Sequence, residues 1–142
     1  MNPLSLIIAK PQRSIVTGGT LTSDSTYYYR TFTVGTSSLS VSNAPLLCDI
    51  VVQGGGGGSG YTGGGGGGTV WIAQTTLTPG SYATSVGAGG NNANGGDSQF
   101  GSGYYTVAKG GGNAGAVGGS GGGGRTGAAS NQPAGTTATG IG

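Results

Sequence analysis

Residues 54–142 hold 34 of the 37 glycines in this 142-residue chain; only Gly18, Gly19 and Gly35 come earlier. The glycine runs are uninterrupted at 54–58, 63–68, 110–112 and 121–124. Glycine loses more backbone freedom on ordering than any other residue, so such runs oppose both a helix and a central strand. A fold that accepts them must need backbone without Cβ atoms at those places. The function has to be sought in that need.

Four structures compete for the runs. A flexible linker fits the composition, yet linkers do not alternate with strand-like segments that carry Trp71, Tyr82 and Tyr105. Collagen requires glycine at every third position and abundant proline, and the chain has five prolines without that period. Residues 58–63 match G-x-G-x-x-G, but no helix-forming sequence follows and Ala83 stands where a dinucleotide site needs an acid. The fourth is a bundle of extended polyglycine II helices. Each such helix has three residues per turn, makes no internal hydrogen bonds and turns its N–H and C=O groups outward to its neighbours. Only this reading uses the purity of the runs. The last 89 positions contain 13 large apolar side chains, too few to offset the entropy of ordering that much backbone. Hydrogen bonding between backbones, and contact between chains, must supply the rest.

Charge is scarce. Lys10, Arg13, Arg30, Lys109 and Arg125 face Asp24, Asp49 and Asp97, with no His and no Glu. Five scattered cations make no phosphate-binding patch, so nucleic acid is not expected as a partner. One Cys and three dispersed Asp assemble no metal site, catalytic triad or carboxylate pair, so neither enzyme activity nor a cofactor or metal is expected. Cys48, in an apolar run, reads as a small buried thiol or as half of an intermolecular disulfide. No apolar segment is long enough to insert into a membrane, and residues 4–9 are too short for a signal-peptide core.

The pattern predicts an all-β chain: short strands and hairpins combined with the polyglycine II bundle, and no α-helix. Residues 1–26 read as an N-terminal arm, LSLIIAKPQRSIV being split by Pro11. Such an arm either docks the protein onto a partner or adds an edge strand to its own domain. Residues 27–127 form the glycine-rich domain and 128–142 a small polar tail. In LLCDIVVQ, alternation turns Cys48, Ile50 and Val52 one way and Leu47, Asp49 and Val51 the other. TVWIAQTTL and SYATSV read as a hairpin about Thr78-Pro79-Gly80, with Gly80 at positive φ and with Trp71 and Tyr82 in the core. YYTVAK supplies one further strand.

The order of these pieces carries a resemblance. A strand ending in a valine pair enters a glycine run (LLCDIVVQGGGGGSG), then come GGGGGGTVWIAQTTLTPGSYATSVGAGG, NGGDSQFGSGYYTVAKGGG and GGSGGGGRTG. Over residues 27–127 this resembles the glycine-rich domain of tailed-phage tail-fibre proteins. The resemblance implies a virion surface protein, a homotrimer fixed to other virion proteins through residues 1–26, whose bundle loops contact a host-surface glycan or protein. A fibre subunit and a capsid decoration protein both fit it; outside the family, an ice-binding polyglycine bundle is the alternative. If the loops bind a host surface, rings and amides are the chemistry that recognises sugars, which makes Tyr61, Asn91, Asn92, Asn94, Tyr104 and Arg125 the candidate contacts. Against that role, Asn in a glycine-rich turn also serves to accept positive φ, and Tyr104 or Tyr105 must face inward if their segment is a strand.

Overall fold

A computed structural model of the chain describes residues 12–59, 63–101 and 106–113. Among the described residues nine strands follow one another: β1 (Ile15–Thr17), β2 (Thr20–Ser23), β3 (Tyr28–Thr31), β4 (Gly35–Ser42), β5 (Leu46–Gln53), β6 (Thr69–Leu77), β7 (Gly80–Val86), β8 (Ser98–Phe100) and β9 (Thr106–Ala108). All pairings are antiparallel. A five-stranded sheet runs β1-β4-β7-β8-β9, while β2–β3 and β5–β6 form two-stranded sheets. The all-β expectation holds, with no helix among the described residues, and therefore none long and apolar enough to cross a membrane.

Alternation decides what is buried. Leu39 and Val41 of β4, and Phe100 and Ala108 of β8 and β9, face Ile50 and Val52 of β5 and Val70 and Leu77 of β6. Tyr82 stacks on Phe100, with centroids 5.8 Å apart, and donates its hydroxyl to the Thr78 carbonyl. The β5–β6 hairpin thus lies as a second layer over the five-stranded sheet. As expected, Ile50 and Val52 point in, Cys48 is half-buried, and Leu47, Asp49 and Val51 point out. Burial pushes the Cys48 thiol pKa up, with the neighbouring Asp49 charge adding to the shift.

Two expectations need correction, and one open alternative is decided for the described residues. First, β6 and β7 are not a hairpin: β6 pairs only with β5, and β7 with β4 and β8. Thr78 and Pro79 carry the chain from one layer to the other, and Gly80 does not adopt positive φ. Second, Trp71 is not in the core; it lies opposite Val51 on the outer face of the hairpin, because the register that buries Val70 turns the next residue outward. Tyr82 is half-buried against the core. The described part of the 1–26 segment takes the second course left open for it and adds strands to its own domain. β1 pairs with residues 40–42 of β4, β2 pairs with β3, and the Arg30 guanidinium ties the two by donating to the Val16 and Gly18 carbonyls.

A bulge explains how β6 buries residues of both parities. Cys48 pairs with Thr75 but Ile50 with Ile72, so Asp49 faces two residues. There Gln74 adopts φ 50, and its N–H donates to Asp49 Oδ1 at 2.7 Å. Before the bulge Val70 points inward; after it Leu77 does, fully buried. Replacing Asp49 with Ala removes the acceptor that holds this strained turn. We expect a loss of about 1 kcal/mol in urea unfolding, with no change in oligomeric mass.

Candidate functional site

Every described glycine segment leaves the same end of the β layers. Residues 54–58 continue β5, 63–68 lead into β6, 87–90 continue β7, 93–96 lead into β8 and 109–112 continue β9. The antiparallel register puts Gly35, the first residue of β4, at that same end, opposite Val86. At the other end lie the start of β1, the turn 43–45 and the β6–β7 crossing, and there Ser14 Oγ donates to the Pro45 carbonyl. The molecule is therefore polar, with its N-terminal approach at one end and its glycine segments at the other.

The segments bond to one another through the backbone. Gly54 and Gly57 donate to Gly68 and Gly65, each at 2.8 Å; Gly55 and Gly58 donate to Gly96 and Ala93, each at 2.9 Å. Donors three residues apart thus reach the same neighbour. Gly90 donates to Gly56, and Gly111 to Gly55, so residues 54–58 bond to all four other segments. Around them 63–68 bonds to 109–112, which bonds to 93–96, which bonds to 87–90. A β-strand has a period of two and two hydrogen-bonded neighbours; this central segment has more of both.

The close approach accounts for the glycines. A Cβ on Gly55, Gly57, Gly64, Gly67, Gly95, Gly110 or Gly111 would fall within 3.0 Å of backbone carbonyl atoms of a neighbouring segment. None of these glycines has a left-handed φ; that role belongs to Gly18, Gly19 and Gly101 in turns and to Gly35 at the start of β4. Gly56 differs from its neighbours, since its Cβ would meet only Gly65 O, at 3.9 Å.

At the base of the bundle Asp97 locks two segments together. Its Oδ2 accepts from Lys109 Nζ at 2.7 Å and its Oδ1 from Gly110 N at 2.9 Å. The lysine hydrogen bond, then the backbone one, holds the Asp97 carboxyl below the ordinary carboxylate range. Gln53 Nε2 donates to Gly67 O, and Thr69 Oγ1 donates to Gln53 Oε1, closing the β5–β6 side.

The outer end carries asparagines. Asn91, Asn92 and Asn94 are exposed and come together where 87–90 turns back into 93–96. Asn113, which sequence reasoning missed, joins them: its N–H donates to Asn94 Oδ1 at 2.8 Å and its Nδ2 to Asn92 O at 2.9 Å. Asn92 takes φ 51, the backbone role allowed for in the sequence reading, and Asn94 caps the 109–112 segment. That leaves Asn91 with an exposed amide bonded to no described residue. The signal for Asn113 was its position, since it directly follows a glycine run just as Asn91 follows Gly89-Gly90. Tyr61, Tyr104 and Arg125 lie outside the described residues. Among the described residues of the segments and tip the ionisable side chains are Asp97 and Lys109 at the base, so the described part of the tip offers neutral groups: asparagine amides, the Ser59 hydroxyl and backbone. No group of His, Cys, Asp and Glu among the described residues could hold a metal ion.

Comparison with protein-family models, with curated proteins and with solved structures found no match to the chain.

Two measurements test the bundle. Gly57→Ala should destabilise the protein by about 2 kcal/mol or more, as an overpacked interior does, while Gly56→Ala should change stability by less than about 0.5 kcal/mol; paired thermal melts decide. The pH dependence follows from Asp97. Its folded pKa is depressed, so its contribution is present above the unfolded value, near the 3.8 of a free Asp side chain, and is lost as pH falls through the folded pKa. The pair is 65% and 47% exposed, which keeps the contribution under about 1 kcal/mol. Asp97→Asn should lower stability at pH 7 and flatten the acid limb of a stability–pH profile.

Proposed function

We propose that this chain is a bacteriophage virion structural protein: a fibre or surface-projecting subunit, homo-oligomeric, held to the particle by its N-terminal arm. Its glycine bundle projects outward and contributes to host-surface attachment. The observation that carries the reading is the polarity of the molecule, with the chain approaching β1 at one end while five glycine segments and the asparagine tip occupy the other. A protein anchored at one end and adhesive at the other needs that layout. The period-three bonding of residues 54–58 supports reading the segments as polyglycine II helices packed side by side. The order of motifs shared with tail-fibre glycine-rich domains points the same way. Adhesion would rest on Asn91 and on the loops beside it, through hydrogen bonds to neutral hydroxyl-rich ligands.

The arm that docks is the part preceding β1. Deleting residues 1–11 leaves Ile15–Thr17 in its sheet, so the variant should keep the β-sheet circular dichroism of the parent. Particles made with it should lose the protein, by immunoblot against the major capsid protein, and should adsorb to host cells several-fold more slowly. Incorporation and adsorption at the normal level would overturn the reading.

A further inference from the structure

The outer turn of the bundle contains one dipeptide whose chemistry the proposed function does not use. Asn94-Gly95 is the only Asn-Gly pair in the chain. Such a pair is prone to modify itself, because a glycine nitrogen, with no side chain beside it, reaches the preceding amide carbon with little hindrance. The fold requires both residues. A Cβ at position 95 would stand 2.0 Å from the Gly55 carbonyl oxygen, which leaves no room for a side chain. Asn94 Oδ1 accepts from Asn113 N at 2.8 Å and so joins segment 93–96 to the end of segment 109–112. Asn94 is exposed to water, while Gly95 is half-buried.

We infer that Asn94-Gly95 is a latent deamidation site, held shut by the bundle and destructive to it once it reacts. The reaction needs no partner but water. Gly95 N loses its proton and bonds to Asn94 Cγ while Nδ2 leaves as ammonia, and water then opens the cyclic imide. Cleavage of the bond from the imide nitrogen to Cγ leaves an ordinary aspartate at position 94. Cleavage of the bond to the main-chain carbonyl leaves isoaspartate, whose main chain runs through Cβ and Cγ and is one atom longer. In the folded chain both reacting groups are engaged. Gly95 N donates to Gly111 O at 2.8 Å, and the Asn94 amide oxygen holds Asn113 N. Ring closure has to break the first bond and turn the side chain away from the second. The isoaspartate form cannot return to the bundle. Gly58 N and Gly55 N, three residues apart, donate to Ala93 O and Gly96 O, also three apart, each at 2.9 Å. An extra main-chain atom between residues 94 and 95 lengthens only one side of that match. The bonds from Gly95 N to Gly111 O and from Gly96 N to Ala88 O lose their register with it. The lifetime of the projection is therefore set by how often its tip opens. This inference rests on the bundle alone and is independent of the virion reading.

The test is to age purified full-length protein at mildly alkaline pH, in buffer and in guanidinium chloride, and to follow Asn94 by peptide mass spectrometry. Deamidation there should be at least about tenfold slower in the folded protein, because it proceeds only from the open tip. Gly57→Ala, which overpacks the bundle, should raise the folded-state rate several-fold, and Gly56→Ala should leave it unchanged. Isoaspartate chains formed in denaturant and refolded beside unmodified protein should melt below it. Asn94→Asp keeps an acceptor for Asn113 N and an ordinary main chain, so it should melt close to the parent. If Gly57→Ala does not fold, the folded and unfolded rates of the parent still decide. Two results would overturn the inference: equal rates in folded and unfolded protein, or isoaspartate chains that melt with the parent.

Discussion

The structure depends on how closely five stretches of backbone approach one another. Residues 54–58 are bonded to four other segments at 2.7–2.9 Å, and a side chain at most of their positions would occupy the space of a neighbour's carbonyl. The arrangement is not self-sufficient. Each hydrogen bond contributes about 1 kcal/mol net, while fixing a residue costs about 1–2 kcal/mol of backbone entropy, and glycine has the most to lose. The segments hold their places because strands fix them at one end. Gln53, Thr69, Asp97 and Lys109 stand at the junctions where strand becomes glycine segment, and each bonds to a neighbouring segment or junction residue. The sandwich positions the bundle; the bundle does not fold the sandwich.

Glycine serves two unrelated purposes here, and separating them clarifies the layout. In Gly18, Gly19, Gly35 and Gly101 it supplies a backbone conformation that other residues reach only under strain. In the segments it supplies thinness. The first use makes corners in the strand layers. The second lets chains run parallel and antiparallel at hydrogen-bonding distance in several directions at once, which a pleated sheet with side chains above and below cannot do. The end of the molecule reached this way carries backbone groups, asparagine amides and the Ser59 hydroxyl among its described polar groups.

Much of this was legible in the sequence. Period-two alternation in LLCDIVVQ gave the inward and outward faces of β5, and the purity of the glycine runs required Cβ-free contact. Failure came where a single local event changed the meaning of a pattern. Strict alternation through TVWIAQTTL carries no sign that Gln74, an ordinary residue, adopts a left-handed φ and resets the parity between Val70 and Leu77. The Thr-Pro-Gly turn looks the same whether it joins paired strands or crosses between layers, because the choice is made by which strand each partner finds elsewhere in the chain. The size of Trp71 favours a core position, but its register opposite Val51 turns it outward. The asparagines split similarly: their place in turns could be read locally, whereas the bonds from Asn113 to Asn92 and Asn94 join residues about twenty positions apart.

The scarcity of charge takes on a meaning beyond the functions it argues against. Salt screens interactions between exposed charges beyond about 8–10 Å at ordinary ionic strengths. Here the described ion pair lies at the base of the bundle, and the bonds within the bundle run between neutral peptide groups. The tip likewise presents amides, whose hydrogen bonds depend on geometry and not on the ionic atmosphere. A projection built this way keeps its shape and its contacts through changes of salt that would weaken a charged adhesive surface. In the proposed attachment role such a tip forgoes long-range electrostatic steering, so productive encounters would have to come from presenting many tips together.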